Sequence, residues 1–316
     1  MKININLKFI TILFYLTLIF GAYFYFNENK TQLSITNLEN KFLIFVVMLK
    51  LFNFFIFNRI HLEIFQIFNL HLSQIENFKL TFKGYIGNFF GFGKSGTTYK
   101  ALFLKNKYQF SFIKFVSFYI LLQTLTIFFT SLLCFVALFL LSYFDKSYPK
   151  EVLIVLFLVM LLCFLSNYLF KLITKIKLFE NSVYFRKWIF SINEVLQNLK
   201  NIKYLNIKIL KITLLQAIIQ LSIFLQIYFL SKALNFNITF ISNLIFNLIS
   251  QISSFISLTP NALGIKEFIL FTLNEYIGLS SFQVLELAVL DRITDFFSLV
   301  FFSIIYRFII KIYENE

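Results

Sequence analysis

The chain has 316 residues, 59% of them hydrophobic and only 14% charged. A soluble domain carries roughly a quarter charged residues, so this composition leaves too little polar surface for a water-facing globule and points to a bilayer. The net charge of +14 is spread between apolar runs, which argues against a nucleic-acid face and for basic cytoplasmic loops.

A spanning helix needs about 20 mainly apolar residues. The first such run, 9–26, follows Lys2 and Lys8 and is too long for a signal peptide, with no small-residue cleavage site after it. It reads as an uncleaved span with the N-terminus inside. The second run is 42–58, ending at Arg59. A shorter piece, 84–93, lies in the glycine-rich stretch from Gly84 to Gly96, which holds five of the chain's eight glycines. The runs 113–141 and 152–170 follow. The segment 171–211 is strongly basic and carries Trp188, Ile192, Val195 and Leu199 at helical spacing, so an amphipathic helix on the cytoplasmic surface is expected over about 171–208. Further runs are 212–231, then 238–258 interrupted at Pro260 and Gly264, then 265–279, and finally 282–306, closed by Arg307 and Lys311. The expected fold is all-α: a single polytopic membrane domain with six to eight spans and two re-entrant broken hairpins, near 84–99 and 248–278. The basic clusters put both termini in the cytoplasm, residues 100–112 inside and 279–282 outside.

A shift of 168 residues aligns the two glycine-broken regions, laying Gly96 on Gly264 and the span 42–58 on 210–226. The expected repeats are about 1–141 and 152–311. The span 113–141 starts inside, whereas its counterpart 282–306 starts outside, so the repeat is inverted. Transporters place substrate sites between such repeats, at discontinuous helices near the midplane. Irregular backbone is tolerated there only when buried in protein or lining a wet cavity.

Few residues offer other chemistry. Gly93-Lys94-Ser95 resembles the end of a phosphate-binding loop, but position 88 is Asn88 where that loop needs glycine. Cys134 and Cys163 lie in apolar runs, and His61 and His71 lack partners at ligand spacing. Neither a metal nor another cofactor is expected. Lys94 and Lys100 flank the first broken turn, within reach of a headgroup phosphate. Asp291, Arg292 and Asp295 lie deep in the last run, where ionisable groups face a cavity or one another. Arg292 and Asp295, three apart, are neighbours on a helix and form a candidate ion pair. Lys50 sits mid-span, either paired or snorkelling. Gln216, Gln220 and Gln226 read as contacts between helices.

The stretches Gly93-Lys94-Ser95-Gly96-Thr97-Thr98-Tyr99-Lys100 and Thr259-Pro260-Asn261-Ala262-Leu263-Gly264-Ile265-Lys266-Glu267 resemble the two signature turns of the lysylphosphatidylglycerol synthase transmembrane-region, or flippase-like, family. Departures include Phe92 where the first turn usually has proline, and Asn261 and Ala262 where the second has glycines. The resemblance implies a bacterial or archaeal plasma-membrane protein that moves lipids or lipid-linked sugars between leaflets. It carries Gly93, Gly96, Lys100, Pro260, Gly264, Lys266 and Glu267 over as family positions.

With Asn88, Lys94, Asp291, Arg292 and Asp295, these form the candidate lipid site. The expected function is headgroup translocation, with membrane lipids as partners (an anionic headgroup or a lipid-linked sugar) and a glycosyltransferase or lipid synthase as a further partner. Nucleic acid is not expected. The alternative is an embedded enzyme or accessory factor of glycolipid assembly, using Glu267 or Asp291. No soluble aminoacyltransferase domain follows the last span, so lysyl transfer is not expected.

Overall fold

The computed structural model describes residues 38–92, 94–144, 194, 197, 206–255 and 259–314. The expected spans 9–26 and 152–170 and the basic segment 171–208 lie almost wholly outside these residues. The described residues form helices and connecting turns, with no strand. Four helices are long and apolar enough to cross a membrane: α1 (Asn40–Ile67), α4 (Phe112–Phe144), α5 (Asn206–Ala233) and α9 (Ser281–Glu314). Between α1 and α4 stand α2 (Gln74–Phe90) and α3 (Ser95–Tyr108). Between α5 and α9 stand α6 (Phe240–Phe255), a single 3-10 turn at Pro260–Ala262, α7 (Ile265–Thr272) and the short α8 (Asn274–Ile277). The chain is an all-α polytopic membrane protein. Its large apolar side chains face outward along the spans, with Phe308, Ile44 and Leu210 each at least 60% exposed. Its buried interior holds lysine, asparagine and glutamine, because lipid solvates the apolar surface while polar groups must find partners inside.

The ends of the elements show how the two halves correspond. The α1 helix stops in a left-handed Asn69, where the Leu70 amide donates to the Phe65 carbonyl at 2.9 Å. The α5 helix stops likewise in a left-handed Asn235, with the Phe236 amide donating to the Ser231 carbonyl at 2.8 Å. The Ser73 hydroxyl caps α2 by accepting from the Glu76 amide, and the Thr239 hydroxyl caps α6 by accepting from the Ser242 amide. Asn77 donates to the Asn58 carbonyl 19 residues back, and Asn243 donates to the Phe224 carbonyl 19 residues back. Each of these pairs is 166 residues apart. The caps Ser111 of α4 and Ser280 of α9 are 169 apart. The uniform shift of 168 is therefore a compromise between two registers, and the extra three residues fall within the second broken hairpin.

Helices α1 and α5 pack antiparallel along their whole length. The Glu39 amide donates to the Ala233 carbonyl at one end, and at the other Lys211 meets Glu63 and Lys208 meets Gln66. The α9 helix runs parallel to α1, with Lys50 against Asp291 and Phe54 against Phe302. The α4 helix runs parallel to α5, with Thr126 against Gln216 and Thr130 and Gln220 both bonded to Gln251. Consequently α4 and α9 point in opposite directions, as an inverted pair must.

Candidate functional site

The first broken hairpin closes through direct backbone contact. A Cβ on Gly96 would lie 1.8 Å from the Gly84 carbonyl oxygen and 2.7 Å from the Asn88 amide nitrogen, so no larger side chain fits. The turn is stitched by the Ser95 hydroxyl donating to the Gly87 carbonyl at 2.6 Å, and by the Asn88 side-chain Oδ1 accepting from the Thr97 amide at 3.1 Å. Lys94, in a left-handed conformation, donates to the Tyr119 hydroxyl at 3.3 Å. At the base of the hairpin the Glu76 carboxyl is gripped by Lys107 and by the Tyr108 hydroxyl. These two hydrogen bonds hold its carboxyl down to about 2. Gly93 lies outside the described residues.

The second broken hairpin is held from α9. Asn261 and Ala262 adopt left-handed angles at the 3-10 turn, and Gly264 enters α7 at φ 82°. The Gly264 amide donates to Glu267 Oε2 at 2.7 Å, while Glu267 Oε1 receives the Arg292 Nε–H. Arg292 also donates through Nη1 to the Asn261 carbonyl at 3.0 Å. One guanidinium thus fixes both a helix cap and the carbonyl of the residue forced left-handed, which suits its planar fork of donors.

Arg292 does not form the expected ion pair with Asp295. The turn at 260–264 brings Glu267 to Arg292, and α1 brings Lys50 to Asp295. Lys50 Nζ lies 2.7 Å from Asp291 Oδ1 and 2.5 Å from Asp295 Oδ1, and Lys266 Nζ lies 2.7 Å from Asp291 Oδ2. Three cations and three carboxylates therefore balance across α1, α7 and α9 in two neighbouring groups, Lys266–Asp291–Lys50–Asp295 and Arg292–Glu267. Lys50 is 9% exposed, so it is paired inside and does not snorkel. Ionic groups at this depth persist because each has an opposite charge and a hydrogen bond.

Beside the network lies a cavity of about 340 Å³, bounded by α1, α2, α4, α5, α6 and α9, within the range of roughly 300–1,000 Å³ usual for small-molecule sites. Its walls correspond through the two registers found above. Lys50, Asn53, Phe54 and Phe57 of α1 face Gln216, Ile219, Gln220 and Ile223 of α5, and Tyr85 of α2 answers to Gln251 of α6. Asp295 of α9 answers to Thr126 of α4. The contacts correspond as well. The Lys50–Asp295 ion pair matches the hydrogen bond from Gln216 Nε2 to Thr126 Oγ1 at 3.1 Å. The edge-on contact of Phe54 with Tyr85 matches the amide pair Gln220–Gln251. The cavity therefore lies where the halves meet, with one wall carrying charges and aromatic rings and the other glutamines interleaved with isoleucines.

The family profile for the lysylphosphatidylglycerol synthase transmembrane region matches residues 8–303. The chain belongs to this family. Nothing among curated proteins or solved structures matches it. The family name makes it a membrane protein of the lipid-handling kind, and the two turns quoted for the resemblance are the two broken hairpins described above.

Of the residues singled out in the sequence of this family member, Lys266, Asp291 and Asp295 join through Lys50, Glu267 pairs with Arg292 alongside, and Pro260 and Gly264 shape the adjoining turn. Asn88, Lys94 and Gly96 build the other turn. Lys100 stands apart from both turns. It is 8% exposed, its stem lies over Gly84, and its ammonium sits 6.0 Å from the ring centroid of Phe57, a cavity residue. Lys100 has no acidic partner among the described residues. Sequence reasoning missed the cavity's own lining: Asn53, Phe57, Tyr85 and Gln251 carried no motif, and Gln216, Gln220 and Gln226 read as packing contacts. The usable signal was the clustering of amides at mid-span in α5. His61 is buried with Nδ1 3.2 Å from the Thr81 hydroxyl, a satisfied core position. Among the described residues no three His, Cys, Asp or Glu side chains group as a metal site requires.

Proposed function

We propose that the chain moves lipid headgroups between the leaflets of the plasma membrane through the cavity between its two halves, with basic loops and both termini in the cytoplasm. One observation carries this: a cavity at the mid-depth of four apolar helices whose largely apolar lining is interrupted by Lys50, Thr126, Gln216 and Asp295, all near the middle of their spans. A headgroup entering hydrocarbon loses its hydrogen bonds at several kcal/mol per unsatisfied group, an order-of-magnitude figure. An amide-lined chamber halfway across supplies partners where that loss is greatest. Inverted halves support alternating exposure of such a chamber to either side. Lys100 supports a counter-ion for a headgroup phosphate beside the chamber. Lys266 and Arg292 are already matched by carboxylates and hold the wall in place. No covalent step is proposed: Glu267, Asp291 and Asp295 each hold a cation and serve the wall.

Reconstitution into liposomes with fluorescent phosphatidylglycerol, phosphatidylethanolamine and a glucosyl lipid tests the proposal through quenching by an impermeant reductant. Transbilayer movement faster than in empty liposomes is expected for at least one headgroup. Movement equal to empty liposomes for all three overturns it.

A further inference from the structure

We infer that the two broken hairpins differ in mobility: the first is a fixed part of the wall, and the second is a gate whose strained turn is latched by Arg292. The inference rests on the transport proposal for what the gate serves, but not for whether it moves.

The first hairpin is closed on itself. Its arms touch backbone to backbone, for a Cβ on Gly87 would lie 2.6 Å from the Gly96 Cα. The Ser95–Gly87 and Thr97–Asn88 hydrogen bonds and the grip on Glu76 all join α2 to α3, so parting the arms would break every one of them. The second hairpin is tied differently. Among the described residues no hydrogen bond joins α6 to the turn at 260–264 or to α7, and Lys266 meets α6 across the Phe246 ring, 6.0 Å from its centroid. The polar ties run to α9 instead: Lys266 to Asp291, and Glu267 and the Asn261 carbonyl to Arg292. A Cβ on Gly264 would meet nothing within 4 Å, so there is room beside this turn where the first hairpin has none.

The turn is also strained. Asn261 and Ala262 are consecutive left-handed residues, at φ 47° and 55°. Alanine has a Cβ that clashes in this region and no polar side chain to compensate. Such a conformation persists only where its surroundings impose it. Two restraints do so here. The turn packs against α2 with Ala262 1% exposed, and Arg292 Nη1 holds the Asn261 carbonyl. Letting go of Arg292 removes the second restraint, so the turn relaxes and α7 draws away from α9. Asp295, which lines the chamber, stands one turn beyond Asp291 and Arg292 on α9. The movement therefore opens the chamber toward the side on which the second hairpin is rooted. A latched and a released arrangement of one short segment make it a two-state element.

The test reads water access to a single cysteine, Ala288→Cys or Ala101→Cys, in the full chain carrying Cys134→Ser and Cys163→Ser, held in phosphatidylcholine nanodiscs and treated with a water-soluble maleimide. Ala288 is 0% exposed and stands one turn before Arg292 on α9, whereas Ala101 is 3% exposed and belongs to α3 of the first hairpin. The labelling rate of a buried thiol follows the fraction of molecules open around it. Arg292→Gln is expected to speed labelling at 288 roughly tenfold or more, through the loss of charge-assisted hydrogen bonds. Ala262→Gly is expected to slow it about fivefold, because glycine accepts the left-handed turn that the latched arrangement requires. Neither substitution should change labelling at 101. Opposite effects at one thiol separate a gate from a fold that has merely been weakened. Labelling at 288 that Ala262→Gly leaves unmoved or speeds overturns the inference, as does a rise in Arg292→Gln shared equally by residue 101. Either result leaves lipid transport standing if the liposomes show it, and a gate that opens as expected while no lipid moves leaves this inference standing without the transport proposal.

Discussion

Lys50→Met should expose how strongly the ion network holds the two hairpin systems together. The substitution keeps the length of the side chain and removes the only cation bonded to Asp295 among the described residues. Asp291 retains Lys266, so the damage concentrates on Asp295. Breaking one side of a buried ion pair costs about 3–5 kcal/mol because a charge is left uncompensated. Asp295 keeps 23% side-chain exposure on the cavity, which puts the expected loss at the low end, about 3 kcal/mol. Lys50→Met/Asp295→Asn restores neutrality and should regain about 2 kcal/mol of this, a coupling well above the ~0.5 kcal/mol error of additive sites. Equilibrium unfolding of the four proteins in mixed micelles by a denaturing detergent measures it. Additivity of the two single losses within that error would mean that Lys50 and Asp295 are independently solvated and that the network is no network.

Gly96→Ala should destabilise by about 3 kcal/mol or more, the upper end for overpacking, since its methyl meets the Gly84 carbonyl rather than a movable side chain. Thermal unfolding in detergent checks this. Arg292→Lys should not rescue what Arg292→Gln loses, because an ammonium cannot serve both Glu267 and the Asn261 carbonyl in the plane of a guanidinium. Equal stability of the lysine variant and the parent would refute it. Asn77→Ala and Asn243→Ala should each cost about 0.5–1.5 kcal/mol by removing a buried hydrogen bond to the helical carbonyls of Asn58 and Phe224, and unequal costs would show that the two halves are not energetically alike. Glu76 titrates near 2 in the folded chain and near 4.5 when unfolded. Its depressed value means that its contribution is complete above pH ~4.5 and fades as the pH falls toward 2. The stability gap between the parent and Glu76→Gln should close over that interval.

The spans were legible because a bilayer demands unbroken apolar length. The runs 42–58, 113–141, 212–231 and 282–306 lie inside α1, α4, α5 and α9. The helices run longer than the runs because His61, Glu63 and Lys211 continue the helix where hydropathy has already fallen, and they are satisfied by one another or by neighbours across the bundle. The broken hairpins were legible from Gly96, Pro260 and Gly264, which mark close approach and backbone turns. The pairing was not. Lys50 finds its carboxylates 241 and 245 residues away, and spacing within α9 favoured Arg292 with Asp295 instead. The amides were invisible for another reason. A glutamine in an apolar run looks the same whether it binds a neighbouring helix or lines a chamber, and only the register between the halves tells Gln216 as packing from Gln216 as wall.

The register between the halves also sets what either could do without the other. The Lys50–Asp295 and Gln216–Thr126 contacts each take one member from either half, so the halves can be recombined on paper. Two copies of the first would set Lys50 against Thr126 twice, giving a chamber with two lysines and no carboxylate. Two copies of the second would set Gln216 against Asp295 twice, leaving two aspartates with no lysine. Only the unlike pairing is electroneutral. A symmetric homodimer of either half could not house this interior, whose charges balance only between unlike halves.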